Sequence, residues 1–245
     1  QTVTWKSRVR YRRAEDIIGE IRRFRLTNIA FHADTATVNK QQMLAICDGI
    51  KSLPWKVRWI CNSRVDTVDL EMLQAMKSAG CWMICYGIES GDDEVLRMNK
   101  KEATVVDARR AVALAKQAGL RVWGYFMLGL YGDSPASLDR TLLLATELPC
   151  DLVNFSLAAP YPGTEWGRVA QDNGWLASSR WEDYDQNTSA IVDQPGLSHQ
   201  QVLAFQRKAY LTWYCSWRGV KFFAQAWRPR YARFFFQVIR SHLGW

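Results

Sequence analysis

The sequence predicts an α/β protein whose parallel strands are arranged as in a TIM-like barrel. Five short apolar runs of strand length alternate with four intervening helical segments. They recur at intervals of about thirty residues, which leaves room for the crossover that joins two parallel strands. Polar and glycine-rich clusters follow the strands, where the loops of such a fold gather around one site.

Local signals place the ends of the predicted elements. Apolar residues at helical spacing predict amphipathic helices, and short apolar runs predict strands. Asp69 is a suitable helix N-cap, Gly80 and Gly119 end helices, and Pro135 suits a first helical turn. The predicted helices are residues 14–24, 40–52, 70–78, 92–101, 104–118 and 135–148, and the predicted strands are residues 28–31, 57–61, 81–85, 121–128 and 152–157.

Composition favours a globular intracellular domain. Of the 245 residues 48% are hydrophobic, and the chain is long enough to bury a large core. The six cysteines have scattered spacings that suggest no disulfide framework, so we expect a reducing, cytoplasmic setting. We expect neither a signal peptide nor a spanning helix, because no apolar run reaches about 18 residues.

Three regions follow from this pattern. Residues 1–165 form the predicted barrel, and residues 166–197 form an irregular connecting segment. Residues 198–245 form a basic, aromatic helical tail that begins with Ser198 as an N-cap.

The predicted site centres on Glu89, in a glycine-rich turn after the central strand. Other polar clusters also follow strands, so we expect them to share one rim. Taken alone, Glu89 could equally be the carboxylate that caps the next helix. The clusters are Asp34, residues 62–66, Glu89, residues 129–133 and residues 161–164.

Five short motifs occur in order along the chain, and together they resemble the radical S-adenosylmethionine (SAM) enzymes. More narrowly, they resemble the subgroup with an N-terminal cobalamin-binding domain. The resemblance covers about residues 3–185, and the helical tail also resembles the C-terminal region of that subgroup. The motifs are Asn-Ser-Arg-Val-Asp at 62–66, Met-Lys-Ser-Ala-Gly-Cys at 76–81, Gly-Ile-Glu-Ser-Gly at 87–91, Gly-Tyr-Phe-Met-Leu-Gly-Leu at 124–130 and Pro-Tyr-Pro-Gly-Thr at 160–164.

The resemblance implies a partial (β/α)6 barrel that holds a [4Fe-4S] cluster and SAM. It implies reductive cleavage of SAM to a 5′-deoxyadenosyl radical, followed by methyl transfer or ring formation. The sequence does not identify the substrate; we expect a small or lipid-like molecule, such as a lipid, isoprenoid or tetrapyrrole.

The resemblance also assigns cofactor-binding residues. Glu89 would bind the ribose or amino group of SAM, and Arg64 would suit its carboxylate. Gly87 and Gly91 would allow close approach of the backbone, and Gly129 would pass near the adenine. The full candidate set is Asp34, Asn62, Ser63, Arg64, Gly87, Glu89, Ser90, Gly91 and Gly129.

Two departures from the family pattern affect the expected activity. The family holds its cluster with a CxxxCxxC loop, which this sequence lacks. We expect the chain to begin after that loop and the first strand, to bind no metal by that motif and to be inactive alone; any cobalamin domain would also precede it. The second departure is Tyr-Gly-Asp-Ser at 131–134 in place of Pro-Gly-Glu-Thr, which makes a ligand role for Asp133 doubtful. An alternative is a non-catalytic barrel that acts as a binding module.

The tail permits three interpretations. No acidic residue follows Asp193, whereas basic and aromatic residues alternate beyond it. Packing of the aromatic side chains on the barrel ranks first, association with an anionic membrane surface second and nucleic-acid binding third. We therefore expect a cytoplasmic protein that can be peripheral to the membrane.

Overall fold

The computed structural model describes residues 10–226. Its strands are β1 (Asn28–Phe31), β2 (Arg58–Arg64), β3 (Cys81–Glu89), β4 (Arg121–Leu128) and β5 (Leu152–Leu157). Its helices are α1 (Ala14–Arg23), α2 (Lys40–Lys51), α3 (Leu70–Ser78), α4 (Asp93–Met98), α5 (Val105–Gln117), α6 (Pro135–Glu147), α7 (Glu165–Asp172), α8 (His199–Tyr214) and α9 (Trp217–Ala226), with a 3₁₀ turn at Trp181–Asp183.

The strands form one sheet in the order β1-β2-β3-β4-β5. Parallel pairing joins β1 to β2 and β2 to β3, with Phe31 opposite Cys61 and Arg64 opposite Gly87. Sequential order with helical crossovers is the arrangement expected of βαβ units. The predicted α/β class with parallel strands is confirmed.

Two strands run further than their apolar cores suggested. The prediction ended the second strand at Cys61 and the central strand at Cys85, whereas β2 reaches Arg64 and β3 reaches Glu89. Buried and half-buried residues alternate along β2, because successive side chains of a strand point to opposite faces. Polar residues on the half-buried face therefore continue β2 to Arg64, and Glu89 is the last residue of β3.

The chain divides into two compact units. The first contains the described residues up to Ile88, with Glu102–Tyr125 and Leu148–Cys150. Trp59 and Tyr86 are fully buried in its core, together with Met72, Leu73 and Met76 of α3. The Trp59 ring also donates a hydrogen bond from Nε1 to Ala79 O over 2.9 Å.

The second unit contains Glu89–Lys101, Phe126–Glu147 and the described residues from Asp151 onward. Its core includes Phe126 and Phe155, whose ring centroids lie 5.6 Å apart. Trp213 of α8 is fully buried and donates from Nε1 to Ala145 O at 3.2 Å. Helix α8 therefore belongs to the core of this unit.

Side chains of α8 satisfy the backbone of β5, the last strand of the sheet order. Gln206 Nε2 donates to Phe155 O at 2.7 Å, and the Tyr210 hydroxyl accepts from Phe155 N at 3.1 Å. The Tyr214 hydroxyl donates to Val153 O at 3.3 Å. An unpaired strand edge exposes donors and acceptors, so these bonds take the place of a further strand.

The C-terminal part differs from the sequence prediction in two ways. Ser198 caps α8 as predicted, in a capping box with Gln201, but the helix ends at Tyr214 and α9 follows. Helix α7 was not predicted; Thr164 caps it by accepting a hydrogen bond from Gly167 N. The predicted helix break at Pro229 and the rest of residues 227–245 lie outside the described residues. Among the helices that the structure describes, none is long and apolar enough to cross a membrane.

Candidate functional site

Glu89 ends β3 and forms an ion pair with Lys101, in the second unit. Its Oε1 accepts a hydrogen bond from Lys101 Nζ at 2.9 Å, and the two side chains are 24% and 17% exposed. Glu89 has a φ of +69°, a left-handed conformation that costs a non-glycine residue about 1–2 kcal/mol. Strain of this kind persists where the surroundings enforce it, often at functional sites.

Glu89 is not the cap of the following helix. Asp92 is the N-cap of α4, and its Oδ1 accepts from the backbone N–H groups of Glu94 and Val95. The capping interpretation of Glu89 is therefore wrong, because a residue three positions later performs that role. Glu89 Oε2 has no protein partner among residues 10–226, which leaves it able to accept a hydrogen bond from a ligand.

The turn after Glu89 is attached to α6. Gly91 N donates to Thr141 Oγ1 at 2.9 Å, and Ser90 Oγ lies 3.2 Å from the same oxygen. A Cβ added at Gly91 would stand 2.4 Å from Arg140 O. Glycine at 91 is thus required for close approach to the α6 backbone, which explains this residue without any ligand.

The turn after β4 is built around Asp133, which is 3% exposed. Its Oδ2 accepts from Gly129 N at 3.0 Å and Leu130 N at 2.9 Å, and its Oδ1 accepts from Ser137 Oγ at 2.5 Å. Burial raises the pKa of Asp133 to about 6, although these hydrogen bonds lower it. The carboxylate points into its own turn, which agrees with the doubt about a ligand role.

In the first unit, two consecutive residues of β2 point in opposite directions. Ser63 is buried, and its hydroxyl lies 2.6 Å from Thr37 Oγ1. Arg64 is half-buried and makes a bidentate pair with Asp66, from Nε to Oδ1 at 2.9 Å and from Nη2 to Oδ2 at 2.6 Å. The Ser63 hydroxyl is thus used inside the protein, while part of the Arg64 guanidinium fork is already engaged.

The remaining candidates of this unit lie at the ends of β1, β2 and β3. Asn62 is half-buried, and its carbonyl accepts from Ala36 N at 3.0 Å. Gly87 is half-buried opposite Arg64. Asp34 follows β1 and is exposed.

The loop after β5 carries aromatic side chains. Tyr161 stacks on Tyr184 with ring centroids 5.8 Å apart, and its hydroxyl donates to Tyr184 O at 3.2 Å. Trp181 stacks on Tyr184 at 5.5 Å. The predicted closing segment at 161–164 is therefore fixed to the segment that contains the 3₁₀ turn.

The cysteines do not fit an iron–sulfur cluster. Five of the six thiols are buried, and only Cys215 is exposed. Burial raises the pKa of Cys47 to about 12 and that of Cys85 to about 11. Cluster ligands are thiolates, and within residues 10–226 no group of His, Cys, Asp and Glu could hold a metal ion.

Comparisons with known proteins identify the family of the chain. The model of the radical SAM superfamily matches residues 2–145, which is more than half of the chain. The chain therefore belongs to the radical SAM superfamily, as its motifs predicted.

Two curated relatives and one solved structure illustrate the relationship. An uncharacterized methyltransferase of Pyrococcus horikoshii is 31% identical over 189 residues, 77% of this chain and 41% of that protein. The anaerobic magnesium-protoporphyrin IX monomethyl ester cyclase of Cereibacter sphaeroides is 31% identical over 132 residues, 52% of this chain and 22% of that protein. The radical SAM methyltransferase TsrM of Kitasatospora setae, solved with cobalamin and a [4Fe-4S] cluster, shares the fold with a TM-score of 0.63 at 14% identity over 80% of this chain and 46% of its own.

The chain spans less than half the length of these relatives. The methyltransferase, the cyclase and the cobalamin-bound structure agree with the predicted cobalamin-associated subgroup.

Three residues of the second unit were absent from the sequence prediction: Lys101, Ser137 and Thr141. Lys101 was predicted as the last residue of a helix over 92–101, but the helix ends at Met98 and Lys101 follows it. Ser137 and Thr141 lie four positions apart on α6, which places them on one helix face. That spacing was the available signal, but it does not tell which loops the hydroxyls bind.

Proposed function

We propose that this chain is the SAM-binding part of a radical SAM enzyme that carries out methyl transfer or ring formation on a small molecule. Membership of the superfamily supports the use of SAM. The names of the relatives, a methyltransferase and a cyclase, support the two reaction outcomes. The observation that carries the proposal is the Glu89–Lys101 pair beside the Ser90–Gly91 turn.

The charges of this pair complement those of SAM. SAM carries a carboxylate and an ammonium group, as well as ribose hydroxyls. Glu89 would accept hydrogen bonds from the ammonium group or the ribose, and Lys101 would attract the carboxylate. The Gly129 backbone would lie near the adenine. Asp34, Asn62, Ser63, Arg64, Gly87, Ser90 and Gly91 stay predicted SAM contacts.

The cluster that this family uses supplies the electron for SAM cleavage, but the cysteines of this chain do not fit it. We therefore assign no reaction step to cluster ligands within residues 1–245. The contribution proposed for this chain is to bind and orient the nucleoside part of SAM. A [4Fe-4S] cluster and a cobalamin-binding domain are proposed features of the whole protein.

The substrate and location are also part of the proposal. A relative named for a protoporphyrin ester supports a small-molecule substrate of the tetrapyrrole kind. We propose a cytoplasmic protein whose C-terminal tail can associate with a membrane surface, because basic and aromatic residues alternate there.

Calorimetric titration of the 245-residue chain with SAM and with 5′-methylthioadenosine tests the binding role. The second ligand has the adenine and ribose but lacks the amino acid part that a cluster would bind. We expect both to bind, and Glu89→Gln to weaken binding by roughly tenfold or more, since a charged hydrogen bond contributes about 1.5–3 kcal/mol.

Glu94→Gln is the matched control, because Glu94 is exposed and pairs with Arg97 on the surface of α4. Absence of binding, or equal affinities for the two variants, would contradict the proposal. Full-length protein that binds these nucleosides yet holds no iron and leaves SAM intact would support the alternative binding module.

A further inference from the structure

Two hydroxyl side chains of α6 are buried on the same face of the helix. Ser137 and Thr141 are each 1% exposed, and residues four apart on a helix lie one above the other. The Thr141 hydroxyl donates to Ser137 O at 3.0 Å. This donation leaves the Thr141 oxygen free to accept hydrogen bonds from elsewhere.

Thr141 holds the turn that follows β3. Its Oγ1 accepts from Gly91 N at 2.9 Å and lies 3.2 Å from Ser90 Oγ. The same Ser90 oxygen accepts from Asp92 N at 3.2 Å. Arg140 adds an ion pair with Asp92, so two consecutive residues of α6 contact this turn.

Ser137 holds the turn that follows β4, through Asp133. The Ser137 hydroxyl donates to Asp133 Oδ1 at 2.5 Å and accepts from Ser134 N at 2.9 Å. Asp133 in turn accepts from the backbone N–H groups of Gly129 and Leu130. The bonds to one carboxylate thus connect α6 to the start of the turn.

We propose that Ser137 and Thr141 are positioning residues that make α6 a common support for both turns, and that this support sets the affinity for the nucleoside. The inference rests on the proposed function, because one turn directly follows Glu89 and the other contains Gly129. A helix is stiff over a single turn, so it keeps the two loops at a fixed separation. A binding site needs such precision, because the free energy that is spent on ordering a loop during binding lowers the affinity.

The first test compares nucleoside affinities of α6 variants. Thr141→Val removes the oxygen while keeping the shape, and we expect it to weaken 5′-methylthioadenosine binding by roughly tenfold. Ser137→Ala should have a similar effect. Thr141→Ser keeps the hydroxyl and should restore the affinity to within about twofold of the wild type.

The control is Thr146→Val near the end of the same helix, where the hydroxyl donates to Leu143 O at 2.8 Å within the helix. This variant should bind like the wild type. If the wild type binds but Thr141→Val and Thr146→Val behave alike, the support role is overturned while the proposed function stands. If the wild type does not bind, the proposed function fails instead.

Amide hydrogen exchange tests the support without any ligand. Thr141→Val should accelerate exchange at Gly91, and Ser137→Ala should accelerate it at Gly129 and Leu130, each by roughly tenfold. Ser137 does not touch those two amides directly, so the second effect reports transmission through Asp133. Unchanged exchange rates at both turns would overturn the inference, whatever nucleoside affinities the variants have.

Discussion

Lys101 Nζ lies 2.9 Å from Glu89 Oε1, and each side chain is less than one-quarter exposed. The pair joins the last residue of β3 to the segment after α4, so one ion pair closes the loop that contains Ser90 and Gly91. Because the pair is partly shielded from water, its contribution should exceed that of an ordinary surface pair.

Lys101→Met should lower the free energy of unfolding by about 1–2 kcal/mol, because it leaves a partly buried carboxylate without its partner. Urea unfolding measures the change. Lys100→Met is the matched control: Lys100 pairs with Glu165, but these side chains are 73% and 61% exposed. Its effect should stay below about 0.5 kcal/mol, and equal losses for the two variants would refute the argument.

Glycine at position 89 should be better tolerated than alanine. Both substitutions remove the ion pair, but alanine keeps the cost of the left-handed backbone at φ +69°, which glycine avoids. We expect Glu89→Gly to be more stable than Glu89→Ala by about 1 kcal/mol in urea unfolding. Greater stability of the alanine variant would show that this backbone carries no strain.

Asp133 should make stability depend on pH with a definite sign. Its pKa is about 6 in the folded chain, above the value of about 3.9 expected when unfolded. The unfolded state therefore loses this proton first as pH rises. Asp133 contributes stability below about pH 4 that is lost progressively as pH rises through 6, by about 3 kcal/mol in all.

Asp133→Asn isolates this effect, because an amide oxygen can still accept from Gly129 N and Leu130 N. The difference in unfolding free energy, wild type minus variant, should decrease as the pH is raised from 4.5 to 8. Urea titrations at several pH values give that difference while other titrating groups cancel. Parallel pH profiles would show that Asp133 does not titrate in this range.

At the edge of β5, the hydroxyl of Tyr210 should contribute more to the free energy of unfolding than the hydroxyl of Tyr214. Tyr210→Phe leaves Phe155 N without the hydroxyl that accepts from it, and a buried unpaired donor costs about 1–3 kcal/mol. Tyr214→Phe removes a longer hydrogen bond, the donation from the Tyr214 hydroxyl to Val153 O at 3.3 Å. We expect the first variant to lose more stability in urea unfolding; the reverse order would mean that these hydroxyls do not cover the edge.

The local pattern of the sequence predicted most of the fold. Apolar runs located all five strands, and the boundaries of β1, β4 and β5 agree with the prediction. The caps at Asp69 and Ser198 were also predicted, because capping depends on residues within one helical turn. The extensions of β2 and β3 were missed, since polar residues on a half-buried face resemble a loop.

The sequence by itself determined the order of the elements, the family motifs and the placement of Glu89 after the apolar core of the central strand. Tertiary structure alone decided that Lys101 pairs with Glu89, that the buried Ser63 hydroxyl lies against Thr37, and that Gly91 approaches α6. The physical reason is the separation along the chain of the residues that interact. Strand and helix patterns are set by near neighbours, whereas the partner of a carboxylate, a hydroxyl or a glycine is chosen by elements that packing brings from distant parts of the chain.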